Sequence, residues 1–196
     1  MKANIKRISL ILVASAFVVF LCCNYHRVAI KRGTPVDSLN GIEVYHNGAT
    51  WNSDGRTMHN GYNIGLKYQC VEFVKRYYYE HYNHQMPDSY GHAKDFYDKS
   101  LSDKDFNKAR GLMQYQNGSS RVPKVGDIIV FDATFYNKYG HVAIISEVTD
   151  DEIEIIQQNY GPVLWSRRRF KLICHDKKWH IDNDRVLGWL RILHYK

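Results

Sequence analysis

Cysteine, long apolar runs and long runs of one charge are all scarce in this 196-residue chain. Four cysteines are present, and two of them, Cys22 and Cys23, are adjacent near the N-terminus. That leaves Cys70 and Cys174, too few for a disulfide-rich scaffold. They suit either one disulfide in an oxidising compartment or one functional and one structural thiol. No spacing decides between these. No basic run exceeds Arg167-Arg168-Arg169, and no nucleic-acid recognition motif is present, so nucleic acid is not an expected partner. Internal repeats and low-complexity tracts are absent. The longest uncharged apolar run, Ile8 to Cys23, has sixteen residues, fewer than the roughly 20 a spanning helix needs.

The net charge of +7 suits an acidic partner such as a cell-wall polymer or a lipid surface without choosing one. Lys2, Lys6 and Arg7 precede the apolar run, and a basic stretch followed by an apolar one is the pattern of a secretory signal or signal anchor. "ASA" at 14–16 has the small-residue cleavage pattern but lies inside the run. Lipidation at Cys22 or Cys23 would want small neighbours, and Phe20 and Leu21 are large. The expected organisation is a signal peptide or anchor over 1–24, a basic linker over 25–39 and one domain over 40–196. The domain is expected outside the cytoplasm, released or tethered to the membrane.

"GLKYQCVEFVKRYYYEHY" (65–82) reads as an amphipathic helix over 69–82. Cys70, Phe73, Val74, Tyr77 and Tyr78 form one stripe, with Glu72, Lys75, Arg76 and Glu80 off it. A second helix is expected near 92–99. After Pro123 the pattern turns to strands: 126–132, 141–148, 152–158, "RRFKLICH" and "RVLGWLRIL", with "TDD" (149–151) as a tight connection. Helices first and an antiparallel meander second predict an α+β fold, a helix packed on one face of a sheet.

Cys70 falls in the first helical turn. Unpaired N–H groups there stabilise a thiolate and donate to an oxyanion. A nucleophilic cysteine needs a base, and the base needs an orienting partner. His141, following Gly140 at the mouth of a strand, is a candidate base. Gln157, Gln158 and Asn159 end the next strand, where an amide can fix an imidazole tautomer. His81, His84 and His92 match no established metal-ligand spacing. Tyr115, Tyr160 and Trp165 suit either a cleft wall or the core. Lys75 suits a substrate carboxylate or, more simply, solvent.

"YQCVEFVKRYY", "NGSSRVPKVGDIIVFD", "YGHVAIISEV", "IEIIQQNYG" and "VLGWL", in this order and spacing, resemble the CHAP family of cysteine amidases, the glutathionylspermidine amidases among them. The resemblance spans about Asn40 to Ile192. It implies a papain-like α+β fold whose N-terminal helix carries the cysteine against an antiparallel sheet. It further implies Cys70 as nucleophile, His141 as base and Gln157 as orienting residue, with Asn159 and Gln69 as further orienting or oxyanion groups. No metal or organic cofactor is implied. The family's acidic residue is replaced by the neutral Gln157, which orients the ring without offsetting its charge. The export pattern points to peptidoglycan peptide amides as substrate, and the resemblance to glutathionylspermidine. A binding module with lapsed chemistry and a peptidase of protein targets are the other readings.

Overall fold

The computed structural model describes Ser15, Val18, 30–160 and 165–193. The apolar run and Cys22 and Cys23 lie outside the described residues apart from Ser15 and Val18. Among the described residues no helix is long and apolar enough to cross a membrane. In chain order the elements are β1 (Pro35–Leu39), β2 (Ile42–Tyr45), β3 (Arg56–His59), β4 (Tyr62–Leu66), α1 (Cys70–Tyr82), a 3-10 turn (Ala93–Phe96), β5 (Phe106–Asn107), β6 (Leu112–Gln116), β7 (Ile128–Phe131), β8 (His141–Val148), β9 (Glu152–Ile156), β10 (Arg167–His175), β11 (Lys178–Ile181) and β12 (Val186–Arg191).

The main sheet is antiparallel, in the order β11-β10-β9-β8-β7-β12-β6-β5. β7 to β10 follow the expected meander, and β11, a strand the sequence reading did not expect, extends it. β12 leaves it and returns to the far side of β7, where it pairs with β6. The first half differs from the helical or irregular stretch expected. It contains two hairpins, β1-β2 and β3-β4, and the second helix is only the four-residue 3-10 turn. These strands are short and half-exposed, so their alternation is weak; "RTMH" in β3 has no buried residue. Residues 35–39, expected as linker, form β1. Arg167 fastens that strand to the main sheet through Asp37 (2.9 Å) and Glu154 (3.0 Å).

Successive strand residues point to opposite faces. Ile128, Val130, Val142, Ile144 and Ile156 meet Phe73, Val74, Tyr77 and Tyr78 of α1. Ile129, Phe131, Ala143, Ile145 and Ile155 form a second cluster with Phe170, Leu172 and Trp189. The sheet is therefore buried on both faces, which is why β7 reads as an unbroken apolar run.

The stripe on α1 is as the sequence predicts, but its flank is not solvated. Glu72, Lys75 and Arg76 are 3%, 1% and 7% exposed. β2 and β4 cover the side of α1 away from the sheet. Gly65 permits the approach, since a side chain there would come within 3.0 Å of the Glu72 backbone, at φ +141°. The ammonium of Lys75 donates to the carbonyls of Asn63 and Ser89 and lies 4.7 Å from the Tyr62 ring centroid. Lys75 therefore meets neither solvent nor a substrate carboxylate. Burial, reinforced by Arg110 and Arg56, lowers its pKa to about 7. In the unfolded chain a lysine stays protonated to about pH 10.4. Between these values the unfolded state binds more protons, so stability rises with pH. Accordingly, the stability difference between wild type and Lys75→Met, measured by urea unfolding, stays flat below pH 7. It shifts in favour of wild type from pH 7 to 10, and a flat difference throughout would contradict the burial of a charged lysine.

Candidate active site

α1 begins at Cys70, and the extended Gln69 before it provides no side-chain cap. The backbone N–H groups of Cys70 and Val71 interact with the thiol, as does that of Val142 across the gap on β8. Val142 directly follows His141, so the nucleophile candidate sits against the start of the strand that carries the base candidate. Burial pushes the thiol pKa up, and the three N–H groups only partly counter it. The helix-terminus effect expected from the sequence is present, but desolvation outweighs it. Cys70 and Cys174 are both free thiols, Cys70 half-buried and Cys174 exposed on β10, so the two form no disulfide.

His141 is 3% exposed, enclosed by Phe131 (5.9 Å between ring centroids) and Tyr160 (4.9 Å). Gly140 before it has φ +73°, and a side chain there would meet the Phe131 carbonyl at 2.6 Å. His141 Nε2 lies 3.1 Å from Gln157 Oε1. The Gln157 amide nitrogen donates to the Trp165 carbonyl at 3.2 Å, which turns its oxygen toward the imidazole. An oxygen facing Nε2 requires a proton on Nε2, which leaves Nδ1 as the basic atom. Burial lowers the imidazole pKa to about 4, while the Gln157 hydrogen bond opposes the shift. At neutral pH the site therefore holds a thiol and a neutral imidazole, not an ion pair.

The residues after Gln157 do different work. Gln158 faces the opposite side of the sheet and bonds to the Gln69 carbonyl (3.0 Å) and Glu72 (2.9 Å). Asn159, at φ +56°, donates to the Thr50 carbonyl (2.8 Å) and to Gln69 Oε1 (2.6 Å). Gln69 in turn donates to the carbonyls of Asn52 (2.7 Å) and Thr50 (3.3 Å). Both amide hydrogens of Gln69 are thus engaged away from the thiol, so Asn159 and Gln69 anchor the 50–52 loop. The donors of both amides go to the Thr50 and Asn52 carbonyls and to Gln69 Oε1, not to the His141 ring.

A cleft lined by Tyr45, Asn47, Gln157, Asn159, Tyr160 and Trp165 approaches from the Gln157 side. Tyr160 and Trp165 thus line a cleft. Tyr115 is instead a core residue stacked on Trp189. His84 contacts the Arg110 carbonyl, His81 contacts Asn40, and the His92 backbone bonds to Asp95. No group of metal-ligating side chains occurs among the described residues. The sequence reading did not identify the Val142 N–H or the Trp165 carbonyl, since backbone groups leave no residue-type signal. The split of Gln157 and Gln158 between two faces was available from strand alternation.

The CHAP domain family model matches residues 58–159, just over half of the chain and inclusive of Cys70, His141 and Gln157. Trypanothione synthetase of Crithidia fasciculata is 30% identical over 142 residues, covering 67% of this chain and 22% of the relative. Bifunctional glutathionylspermidine synthetase/amidase of Escherichia coli is 28% identical over 138 residues, covering 65% and 22%. The chain thus spans about a fifth of the length of these curated relatives. Among solved structures, Ly7917 with the hydrolyzing product of MDP overlaps 43% of this chain and 33% of its own. The identity there is 26% and the TM-score 0.29, too partial an overlap to bear on the fold. On the strength of the family match, this chain belongs to the CHAP domain family.

Proposed function

We propose that the protein is a cysteine-dependent amide hydrolase. The observation that carries this reading is a helix-start thiol packed against the strand that begins with His141, whose imidazole tautomer Gln157 fixes. Cys70 Sγ attacks the amide carbonyl as its proton passes to His141 Nδ1. The resulting oxyanion takes the Cys70 backbone N–H. The imidazolium then protonates the leaving amine, the C–N bond breaks and a thioester remains. Water gives a proton to Nδ1 and attacks the thioester, and the thiolate leaves and is reprotonated. Because the resting pair is neutral, charge develops only during attack, in a site that excludes most water. No cofactor enters these steps.

Peptidoglycan peptide amides are the proposed substrate. The basic N-terminus followed by an apolar run supports export, and the net charge of +7 suits an anionic polymer. In this reading the domain works outside the cytoplasm, released or tethered through its N-terminal segment. Hydrolysis of glutathionylspermidine is the second reading, favoured by the activity named in the Escherichia coli relative.

Incubating the protein with purified muropeptides and, separately, with glutathionylspermidine, and weighing the products by mass spectrometry, separates the two. Muropeptide cleavage is expected, falling by about a thousandfold or more in Cys70→Ala. Cleavage of glutathionylspermidine alone would replace the substrate assignment, and no cleavage of either would favour a binding module. The imidazole gives an independent check. Its NMR titration in Cys70→Ala should have a midpoint near 4. Gln157→Glu places a carboxylate beside the ring and should raise that midpoint by about 1–3 units. A midpoint near the unperturbed 6.5 in both proteins would mean that the ring is solvated and not held by residue 157.

A further inference from the structure

The amidase chemistry uses Cys70, His141 and Gln157, yet directly behind them lies a closed ring of buried polar contacts that it does not use. Gln158 is 1% exposed. Its Oε1 accepts the Tyr45 N–H at 2.7 Å, and its Nε2 donates to the Gln69 carbonyl at 3.0 Å and to Glu72 Oε2 at 2.9 Å. Glu72 spends its other oxygen on Arg76 Nε at 2.7 Å. Arg76 donates to the Glu43 carbonyl at 2.8 Å, and its guanidinium lies 4.9 Å from the Tyr45 ring centroid. The contacts have returned to Tyr45, joining the end of β2, the first turn of α1 and the residues following β9.

A buried ion pair is a poor source of stability compared with apolar packing, because both charges lose water. What hydrogen bonds add is direction. Apolar contacts alone let a helix slide on a sheet at little cost, whereas this ring fixes both the height and the rotation of the first turn. Cys70 lies between Gln69, which precedes α1, and Glu72 in its first turn, the two residues that Gln158 holds. Gln157, which orients His141, is covalently next to Gln158. The same strand end therefore sets the imidazole on one face and the nucleophile helix on the other.

We propose that Gln158 and Glu72 are positioning residues, which fix the Cys70 sulfur relative to His141 Nδ1 without touching substrate. The proposal rests on the assignment of Cys70 and His141 as nucleophile and base. Its test uses Gln158→Met, which keeps the length but removes the hydrogen bonds, and the exchanged pair Glu72→Gln with Gln158→Glu. The exchange keeps one carboxylate and one amide and the contact between positions 72 and 158, but it loses the donor to the Gln69 carbonyl and leaves Arg76 with an amide oxygen in place of a carboxylate. Three readouts are taken on protein shown to be folded by its melting transition: kcat, KM, and the rate of Cys70 alkylation by iodoacetamide at pH 7.

In Gln158→Met, kcat and alkylation should fall together by about 10- to 100-fold while KM stays within about twofold, as expected for a misplaced reacting group. The exchanged pair, which keeps the contact between positions 72 and 158, should be faster than Gln158→Met in both rates. Folded Gln158→Met with unchanged kcat and alkylation would overturn the proposal, as would a folded exchanged pair as slow as the single variant. If Gln158→Met does not fold, Glu72→Gln takes its place: it should lower kcat and alkylation by about tenfold with KM within about twofold, and a folded Glu72→Gln with unchanged rates would overturn the proposal. Alkylation needs no substrate, so a wild type that hydrolyses neither amide leaves this test intact while ending the amidase reading.

Discussion

The junction between the first turn of α1 and the adjacent starts and ends of β8 and β9 is the contact on which the candidate site depends. Neither side has a site alone. The helix offers a thiol with two backbone donors, and the strands offer an imidazole with a fixed tautomer. Their union requires the Val142 N–H to reach the sulfur and Gln158 to reach the Gln69 carbonyl and Glu72. Both faces of the sheet are packed, so the strands have little freedom to adjust. The register that sets Phe131 opposite His141 then holds the ring in one place.

That junction is also where stability is given up. Glu72, Lys75 and Arg76 are buried in the first two turns of the helix that carries the thiol, and a buried lysine without a carboxylate partner is costly. Hairpins β1-β2 and β3-β4 cover that flank and supply the Glu43 and Asn63 carbonyl oxygens to it. The polar contacts are directional where apolar ones would not be, and a reacting pair needs direction more than adhesion.

Burial has a second consequence. It raises the thiol pKa and lowers that of the imidazole, so both groups rest uncharged. A carboxylate at position 157 would offset an imidazolium charge, whereas the amide there fixes only the tautomer and the ring plane. In the proposed mechanism the site keeps its geometry through hydrogen bonds and generates charge only when a substrate carbonyl is attacked. Tyr160 and Phe131 enclose the ring and maintain the low dielectric that makes this so.

The local pattern of the sequence determined the elements with strong periodicity. The 3.6-residue stripe from Cys70 to Tyr78 defines α1 and places the cysteine in its first turn. The short β-branched runs between turn residues after Pro123 define β7 to β10 and β12, and with them the place of His141 at a strand start and Gln157 at a strand end. The two N-terminal hairpins were poorly legible, because strands of four or five half-exposed residues carry too little alternation to stand out. Tertiary structure alone decided what covers each surface. From the helix by itself, Glu72, Lys75 and Arg76 read as a solvated face, and only the docking of β2 and β4 buries them. The order β6-β12-β7, the separate work of Gln157, Gln158 and Asn159, and the uncharged state of the thiol–imidazole pair have the same origin. Each follows from distance and desolvation between segments far apart in the chain, quantities that no local pattern of residue types encodes.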